Sequence, residues 1–517
     1  MDDRSDGSLI ETDHGHCQKQ KIINKPLPRS RFFLHHCATI ANWCDIGRMT
    51  IDILPDGVLL VIFDHYVAEA DDDGKYEGWQ MLVHVCQNWR YVVFQSPLRL
   101  DLRILCSAET PVREKLTLWP QLPIIIAQSS FFSTSKCGED NIITALGHND
   151  RICKIALAIP SSLLERVFAA MQKTFVALKH LWLYTMDDTA PIVPDSFLGG
   201  SAPHLRYLWL TCIPFPFPVL RKLLLSAPNL VILSLRDIPH SAYFSPEAIV
   251  TCLSALTRLK RLCIEFKSPR SRPPRGRRHH PRTLSVLPAL IKLTFVGVSE
   301  YFEDLVTQID APLLNQLYIT FFHQLVFDTP QLVQFISHTP TLKAYDEARM
   351  TFSDSCATIS LPWRDNLGLQ LRILCRQSDW QLSSLAQVCA SFFPQALIPM
   401  PEHLYIEIAF PRPLWQDDLE DNQWLDLFHP FTTVKNLYLS REFIPRIVPI
   451  LEELVGVGVT EVLPNLQTIF MEDLQESGFV PENIREKEFV AARQLSGHPI
   501  AISSWTRQDK WSTTWYQ

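Results

Sequence analysis

From about residue 150 the chain returns repeatedly to one short pattern, Leu-x-x-Leu-x-Leu with conservative exchanges. Clear copies stand at Leu178-Leu181-Leu183, Leu205-Leu208-Leu210, Leu230-Leu233-Leu235, Leu259-Leu262-Ile264, Leu290-Leu293-Phe295 and Leu314-Leu317-Ile319. Looser copies follow near Leu342, at Leu369-Leu371, Leu404-Ile406, Val434-Leu437-Leu439 and Leu466-Ile469-Met471. The clear copies are spaced by 27, 25, 29, 31 and 24 residues. A unit of that size cannot bury its own apolar face, so neighbours must stack and share one continuous core.

Between the leucine strands lie helical patterns. Ser161-Ser162 leads into Leu163, Leu164, Val167, Phe168 and Met171, and Ser245-Pro246-Glu247 reads as a cap with Pro at the first helical position. Similar spacing runs from Tyr301 to Ile309, Gln331 to Ile336, Trp380 to Phe392, Leu419 to Phe428 and Phe443 to Leu454. Pro203, Pro228, Pro288, Pro312, Pro340 and Pro464 precede strand leucines by one to three residues. Proline there stops a helix and biases the residue before it to an extended shape. The predicted fold is α/β: an irregular leucine-rich-repeat solenoid over 150–475, with parallel strands on its concave face and helices on its convex face.

In such a stack the leucines point inward and the residues between them face the hollow side. Alternation nominates His180, Trp182 and Tyr184, then Tyr207, Trp209 and Thr211, then Arg236, Arg261, Glu265, Lys292, Tyr318, Tyr405, Tyr438 and Phe470. Aromatics beside arginine are the residue types that dominate binding hot spots. His180, Trp182, Tyr184, Tyr207, Trp209, Arg236, Arg261 and Tyr318 are therefore the target-binding candidates. The competing reading is that they stack on one another as filler.

A different pattern precedes the repeats. Pro55-Asp56 opens an apolar stripe at Val58, Leu59, Ile62, Phe63 and Tyr66; after an acidic break, a second helical run passes through Trp79, Leu82, Val83, Cys86 and Trp89. Two helices this short are marginal alone and need another surface. Leu54-Pro55, Ile62-Phe63, Val85-Cys86 and Trp89-Arg90, followed by Ser96-Pro97-Leu98, resemble an F-box. Further stretches, including 99–105, Thr110-Pro111-Val112-Arg113, 119–123, 379–385 and 489–495, are similar to the F-box proteins of mushroom-forming (basidiomycete) fungi. The resemblance implies docking on a Skp adaptor, and through it on a cullin, by Leu54, Pro55, Val58, Leu59, Ile62, Val85, Trp89 and Arg90. It implies a substrate-recognition subunit of a ubiquitin ligase, with the repeats holding a target protein. The alternative is a ubiquitin-independent interaction scaffold acting in the nucleus. The expected organisation is a disordered 1–48, an F-box over 49–105, a connector over 106–149, the solenoid, and a cap and tail over 476–517.

Composition limits the other classes. A net charge of −7 over 517 residues is mild and points to neither nucleic acid nor membrane. The 13 cysteines are scattered without a CxxC pair, which reads as reduced thiols in a cytoplasmic or nuclear protein. No dinucleotide or phosphate loop, nucleophile elbow or zinc-protease motif is present, so neither catalysis nor a cofactor is expected, and the scattered His and Cys of 14–44 match no metal-site spacing. Residues 268–282 hold six arginines, four prolines and no apolar residue, and are expected to form a disordered basic loop suited to nuclear import or an acidic partner.

Overall fold

The computed structural model describes residues 54–69, 78–128, 136–187, 189–272, 284–324, 326–342, 346–363, 366–375, 380–393, 401–409, 421–453, 462–472, 490–491 and 493–506. The expected disordered segment 1–48, most of the basic loop (273–282) and Trp511 and Trp515 lie outside them. The chain divides into two units, 1–100 and 101–517.

Among its described residues the first unit contains three helices, Asp56–Glu69, Gly78–Val83 and Gln87–Gln95. Pro55 stands just ahead of the first, its carbonyl accepting from the Val58 and Leu59 N–H groups at 2.8 and 3.1 Å. The second apolar run, expected as one helix, is broken. Cys86 is extended (φ −156°) and its Sγ accepts from the Trp89 N–H at 3.4 Å, so it caps a new helix. Arg90 Nε donates to the Val83 carbonyl at 2.9 Å, satisfying the end of the helix just stopped. Leu59, Phe63, Trp79, Leu82, Val83, Val92 and Val93 form the unit's core, with the Phe63 and Trp89 rings 4.8 Å apart.

Among the described residues the second unit is built on one sheet of sixteen strands. In chain order they are β1 (Ile104–Cys106), β2 (Ile124–Gln128), β3 (Ile152–Ala158), β4 (His180–Tyr184), β5 (Tyr207–Thr211), β6 (Ile232–Ile238) and β7 (Arg261–Phe266). After β8 (Ser285–Val286) come β9 (Lys292–Gly297), then β10 (Ile309–Asp310) and β11 (Gln316–Phe322); β8 and β10 pair separately. The rest are β12 (Glu347–Phe352), β13 (Cys356–Trp363), β14 (Asn366–Leu374), β15 (His403–Ile408), β16 (Asn436–Leu439), β17 (Thr468–Glu472) and β18 (Ala501–Trp505). Neighbours from β1 to β11 and from β15 to β18 pair in parallel, as a stack of strand-and-helix units requires.

Each strand buries its leucine face. Leu181, Leu183, Leu208, Leu233, Leu293 and Leu317 are fully enclosed, and helices such as Ser161–Ala170, Phe217–Leu225, Pro246–Leu253, Ser299–Val306 and Pro330–His338 supply the opposing apolar side. The prolines enter the strands through one recurring turn. In Ala202-Pro203, Ala227-Pro228, Leu287-Pro288, Ala311-Pro312 and Leu463-Pro464 the residue before proline accepts from the N–H of the leucine two beyond it, at 3.1–3.2 Å. Proline's fixed φ suits the second position of such a turn.

Three expectations are corrected. The sheet starts at Ile104, within the stretch expected as the F-box and not near 150, and the stretch expected as a connector carries β2 and the helices Val112–Leu118 and Lys136–Leu146. It ends beyond 475, because Ala501–Trp505 pairs in parallel with Thr468–Glu472. In the middle, β13 runs antiparallel to both β12 and β14, so β14 and not β12 continues from β11, while β12 leads on to β15. The expected uniformly parallel set therefore contains a three-strand meander.

Candidate functional site

Cross-strand register places the face opposite the leucines in rows. One row reads Ala156, Trp182, Trp209, Ser234, Cys263, Thr294, Tyr318, each directly beside the next on the neighbouring strand. Trp182 and Trp209, nominated from spacing, are register partners. His180 stacks on Tyr207 with centroids 4.2 Å apart, and Tyr207 lies 6.0 Å from Trp209. Tyr184 pairs in register with Thr211, and Thr211 with Arg236. All of these rings are half-buried, each with one side left to solvent.

Ser234, Cys263 and Thr294 escaped the sequence reading. Three consecutive strands carry small side chains at one offset, between the large rings of Trp209 and Tyr318. Four strand spacings separate those rings, about 19 Å. The flanking rows put Ile232, Arg261 and Lys292 on one side of this floor, and Arg236 and Glu265 on the other. Ser234 is 3% exposed and Cys263 8%, so the longer neighbours lie over them. The signal was present in the sequence as a missing bulky residue, which a search for hot-spot types passes over.

Electrostatics on this half are one-sided. Strands β3 to β7 and β9 carry Lys154, Arg236, Arg261 and Lys292 against Asp237 and Glu265. Exposed Lys179, Arg206 and Lys260 each stand immediately before a strand. The His180 pKa is pushed down to about 4, first by burial and then by Lys154, Arg103, Arg206 and Lys179. Burial lowers that of Lys292, with Arg261 adding to it, and the Lys292 ammonium sits 4.5 Å from the Tyr318 ring centre. Arg236 approaches Glu265 at 3.6 Å, whose other contact is the Cys263 thiol donating to Oε1 at 3.1 Å. Burial raises the Glu265 carboxyl and pushes the Cys263 thiol up to about 12, so Cys263 behaves as a small apolar residue and not as a nucleophile.

The other half of the face is arranged differently. Gln370 and Ser360, both buried, meet in the meander, where Gln370 Nε2 donates to Ser360 Oγ at 3.2 Å. Beyond them Arg349, Tyr405, Tyr438 and Phe470 lie in register. Tyr405 and Tyr438 stack at 4.1 Å, Tyr438 and Phe470 at 4.4 Å, and the Arg349 guanidinium covers Tyr405 at 4.2 Å while also reaching Glu407 at 3.3 Å. Trp505 packs edge-on against Tyr405 and Tyr438, and its Nε1 donates to the Leu439 carbonyl at 3.2 Å. These groups satisfy one another, and here the filler reading describes the geometry.

The first unit presents its own candidate surface. The helix Asp56–Glu69 is apolar all round at its centre: Leu59 and Phe63 are enclosed, whereas Val58, Val61 and Ile62 are 44%, 48% and 42% exposed. Val85 is 56% exposed and Met81 and Tyr91 each 60%. Of the eight residues nominated for docking, Pro55, Val58, Ile62, Val85 and Arg90 are exposed, Leu54 and Trp89 half-buried, and Leu59 interior. Leu59 thus holds the helix to its neighbours and is not part of the exposed stripe.

Among the described residues no group of three or more His, Cys, Asp or Glu is placed to hold a metal ion, and no helix is long and apolar enough to cross a membrane. Two cavities between sheet and helices, one beside Leu210 and Phe215 and one beside Leu371 and Phe392, hold about 10 Å³ each. That is the room of a single water, far below a ligand pocket of roughly 300 Å³ or more. No protein-family model matches the chain, and no curated protein does. Among solved structures, the leucine-rich repeat-containing protein LegL7 from Legionella pneumophila is similar at 12% identity with a TM-score of 0.26, over 76% of this chain and 97% of that one. The second unit is a mixed α/β stack of strand-and-helix repeats.

Proposed function

We propose that this chain is the substrate-recognition subunit of a Skp-cullin-F-box ubiquitin ligase, docking through its first unit and holding a target protein on its sheet. The observation that carries the reading is the apolar surface of the three-helix unit. Val58, Ile62 and Val85 face solvent although the unit already owns a core of Leu59, Phe63, Trp79 and Val93. A helix apolar on every side at its centre belongs in an interior, and large apolar side chains left exposed on it favour a binding surface. The Leu-Pro, Ile-Phe, Val-Cys and Trp-Arg pairs that resemble an F-box lie on or beside these helices, which supports the adaptor reading.

The chain itself would supply orientation and effective concentration, while ubiquitin transfer belongs to the other subunits. Affinity purification of the tagged chain with proteolysis blocked, compared with a Val58→Asp/Ile62→Asp variant, tests it. Both positions are exposed, so the variant keeps the core. The expected result is recovery of a Skp adaptor and a cullin with the parent and their loss from the variant. Equal recovery from both, or recovery of neither, would sink the proposal.

A further inference from the structure

We infer that the floor of small residues between Trp209 and Tyr318 is the docking place for an acidic segment of a partner protein. The inference deepens the proposed target-binding role of the sheet and rests on that reading for its biological setting. Its physical basis is separate.

Whatever lies on Ser234, Cys263 and Thr294 meets Arg261 and Lys292 along one side and Arg236 along the other. The carboxylates of these strands do not balance them. Glu265 is engaged by Arg236 and by the Cys263 thiol, and Asp237 also acts on Arg236, which leaves Arg261 and Lys292 as the excess on these strands. Lys292 is half-buried while Arg236 and Arg261 are exposed, and like charges gathered along the edges of a floor of small residues repel one another and favour an anion between them. Burial is the first cause that lowers the His180 and Lys292 pKa values, and neighbouring cations, Arg261 beside Lys292 among them, lower them further. The strand-entry residues Lys179, Arg206 and Lys260 extend the positive charge.

The chain as a whole carries −7, so this positive face is a local concentration against the average. Such an arrangement steers an acidic partner to one place on an otherwise repelling surface. A protein segment fits better than nucleic acid. Nucleic-acid surfaces belong to domains of high net positive charge, and the sequence pI here is about 6.2. Trp209 closes one end of the floor, and at the other the Lys292 ammonium sits 4.5 Å from the Tyr318 ring centre, so an acidic side chain there meets a cation backed by an aromatic ring.

The test measures fluorescence anisotropy of the full chain with a labelled peptide of alternating Glu and Leu, its Lys-Leu counterpart, and an oligouridylate of equal length. Variants are Arg261→Glu/Lys292→Glu on the floor's edge and Lys173→Glu/Arg221→Glu, both exposed, in the helix layer and the turn after it. At low salt the Glu-Leu peptide is expected to bind about tenfold or more tighter than the Lys-Leu peptide, with affinity falling as salt rises. The floor variant is expected to lose about tenfold and the control less than about twofold, since its charges belong to the helix layer and its turns and not to the strands. Circular dichroism melts check folding, and Arg261→Gln/Lys292→Gln, with an intermediate loss, replaces the reversal if that variant unfolds. Equal binding of both peptides, an equal loss in floor and control variants, or tighter binding of the oligouridylate would overturn the inference. A chain that recovers the adaptor but ignores the acidic peptide sinks this inference alone, and the opposite pattern sinks the docking proposal alone.

Discussion

Glu303 shows how one buried side chain ties two repeats together. It is 2% exposed, and its two carboxylate oxygens accept the Gln331 and Leu332 N–H groups, each at 2.8 Å, at the start of the next helix. A carboxylate suits the positive end of a helix dipole and satisfies donors that would otherwise be orphaned. Glu303→Ala is expected to cost about 1–3 kcal/mol in urea unfolding and Glu303→Gln, which keeps one acceptor, clearly less; equal losses would count against the cap. His180 gives a pH signature. Its folded pKa of about 4 lies below the ordinary 6.5, so on acidification the unfolded chain takes up the proton first. The stability that neutral His180 contributes is present above 6.5, falls away between 6.5 and about 4, and changes no further below. His180→Gln is expected to flatten that stretch of the stability profile by about 1–2 kcal/mol, discounted for solvent screening of a half-buried ring. An unchanged profile would show that the neighbouring cations do not act on His180.

At the scale of elements, the aromatic layer under β7, β9 and β11 holds several repeats at once. Phe295 packs against Phe266, Tyr301, Phe302 and Phe321 with centroids 4.8–6.5 Å apart, bringing two repeats on either side into one cluster. Phe295→Ala is expected to cost about 3–5 kcal/mol, among the largest single losses in the sheet, because rigid rings around it cannot close the hole. Denaturant midpoints compared with Phe470→Ala, on the half-open face, check the ranking. Many helix positions were legible: the spacing of 380–392 predicts the helix Trp380–Phe392, and Ser245 caps Pro246–Leu253 by accepting the Ala248 N–H at 3.3 Å, whereas Val112–Leu118, Lys136–Leu146 and Phe217–Leu225 went unpredicted. The antiparallel β13 was not, because a period of two reads the same in either strand direction. The clue lay in the links. Three residues separate β12 from β13 and two separate β13 from β14, too few for the crossover of about ten or more that parallel neighbours need. Cys86 was misread for a related reason: its place on the apolar stripe is compatible with a helix interior, and its use as a cap depends on the Trp89 N–H finding sulfur.

The whole molecule combines a small helical unit with a quasi-one-dimensional stack. Stacked repeats touch mainly their sequence neighbours, so cooperativity is local, and the meander at β12 to β14 interrupts the run. Calorimetric unfolding is therefore expected to depart from two-state behaviour, with a van't Hoff enthalpy below the calorimetric one; equality of the two would mean that the units and repeats melt as one. The sequence by itself determined that strands and helices alternate, that the leucines form the interior, and which side chains look out from the strands. These follow from local periodicity and from the geometry of proline turns, which neighbours in the chain suffice to set. Tertiary structure alone decided which outward residues share a row, that Trp209, Ser234, Cys263, Thr294 and Tyr318 form one floor, that the rings from Tyr405 to Phe470 satisfy one another, and that β14 and not β12 follows β11. Register and strand order depend on contacts between residues far apart in the chain, and on which alternative pairing leaves the least apolar surface uncovered.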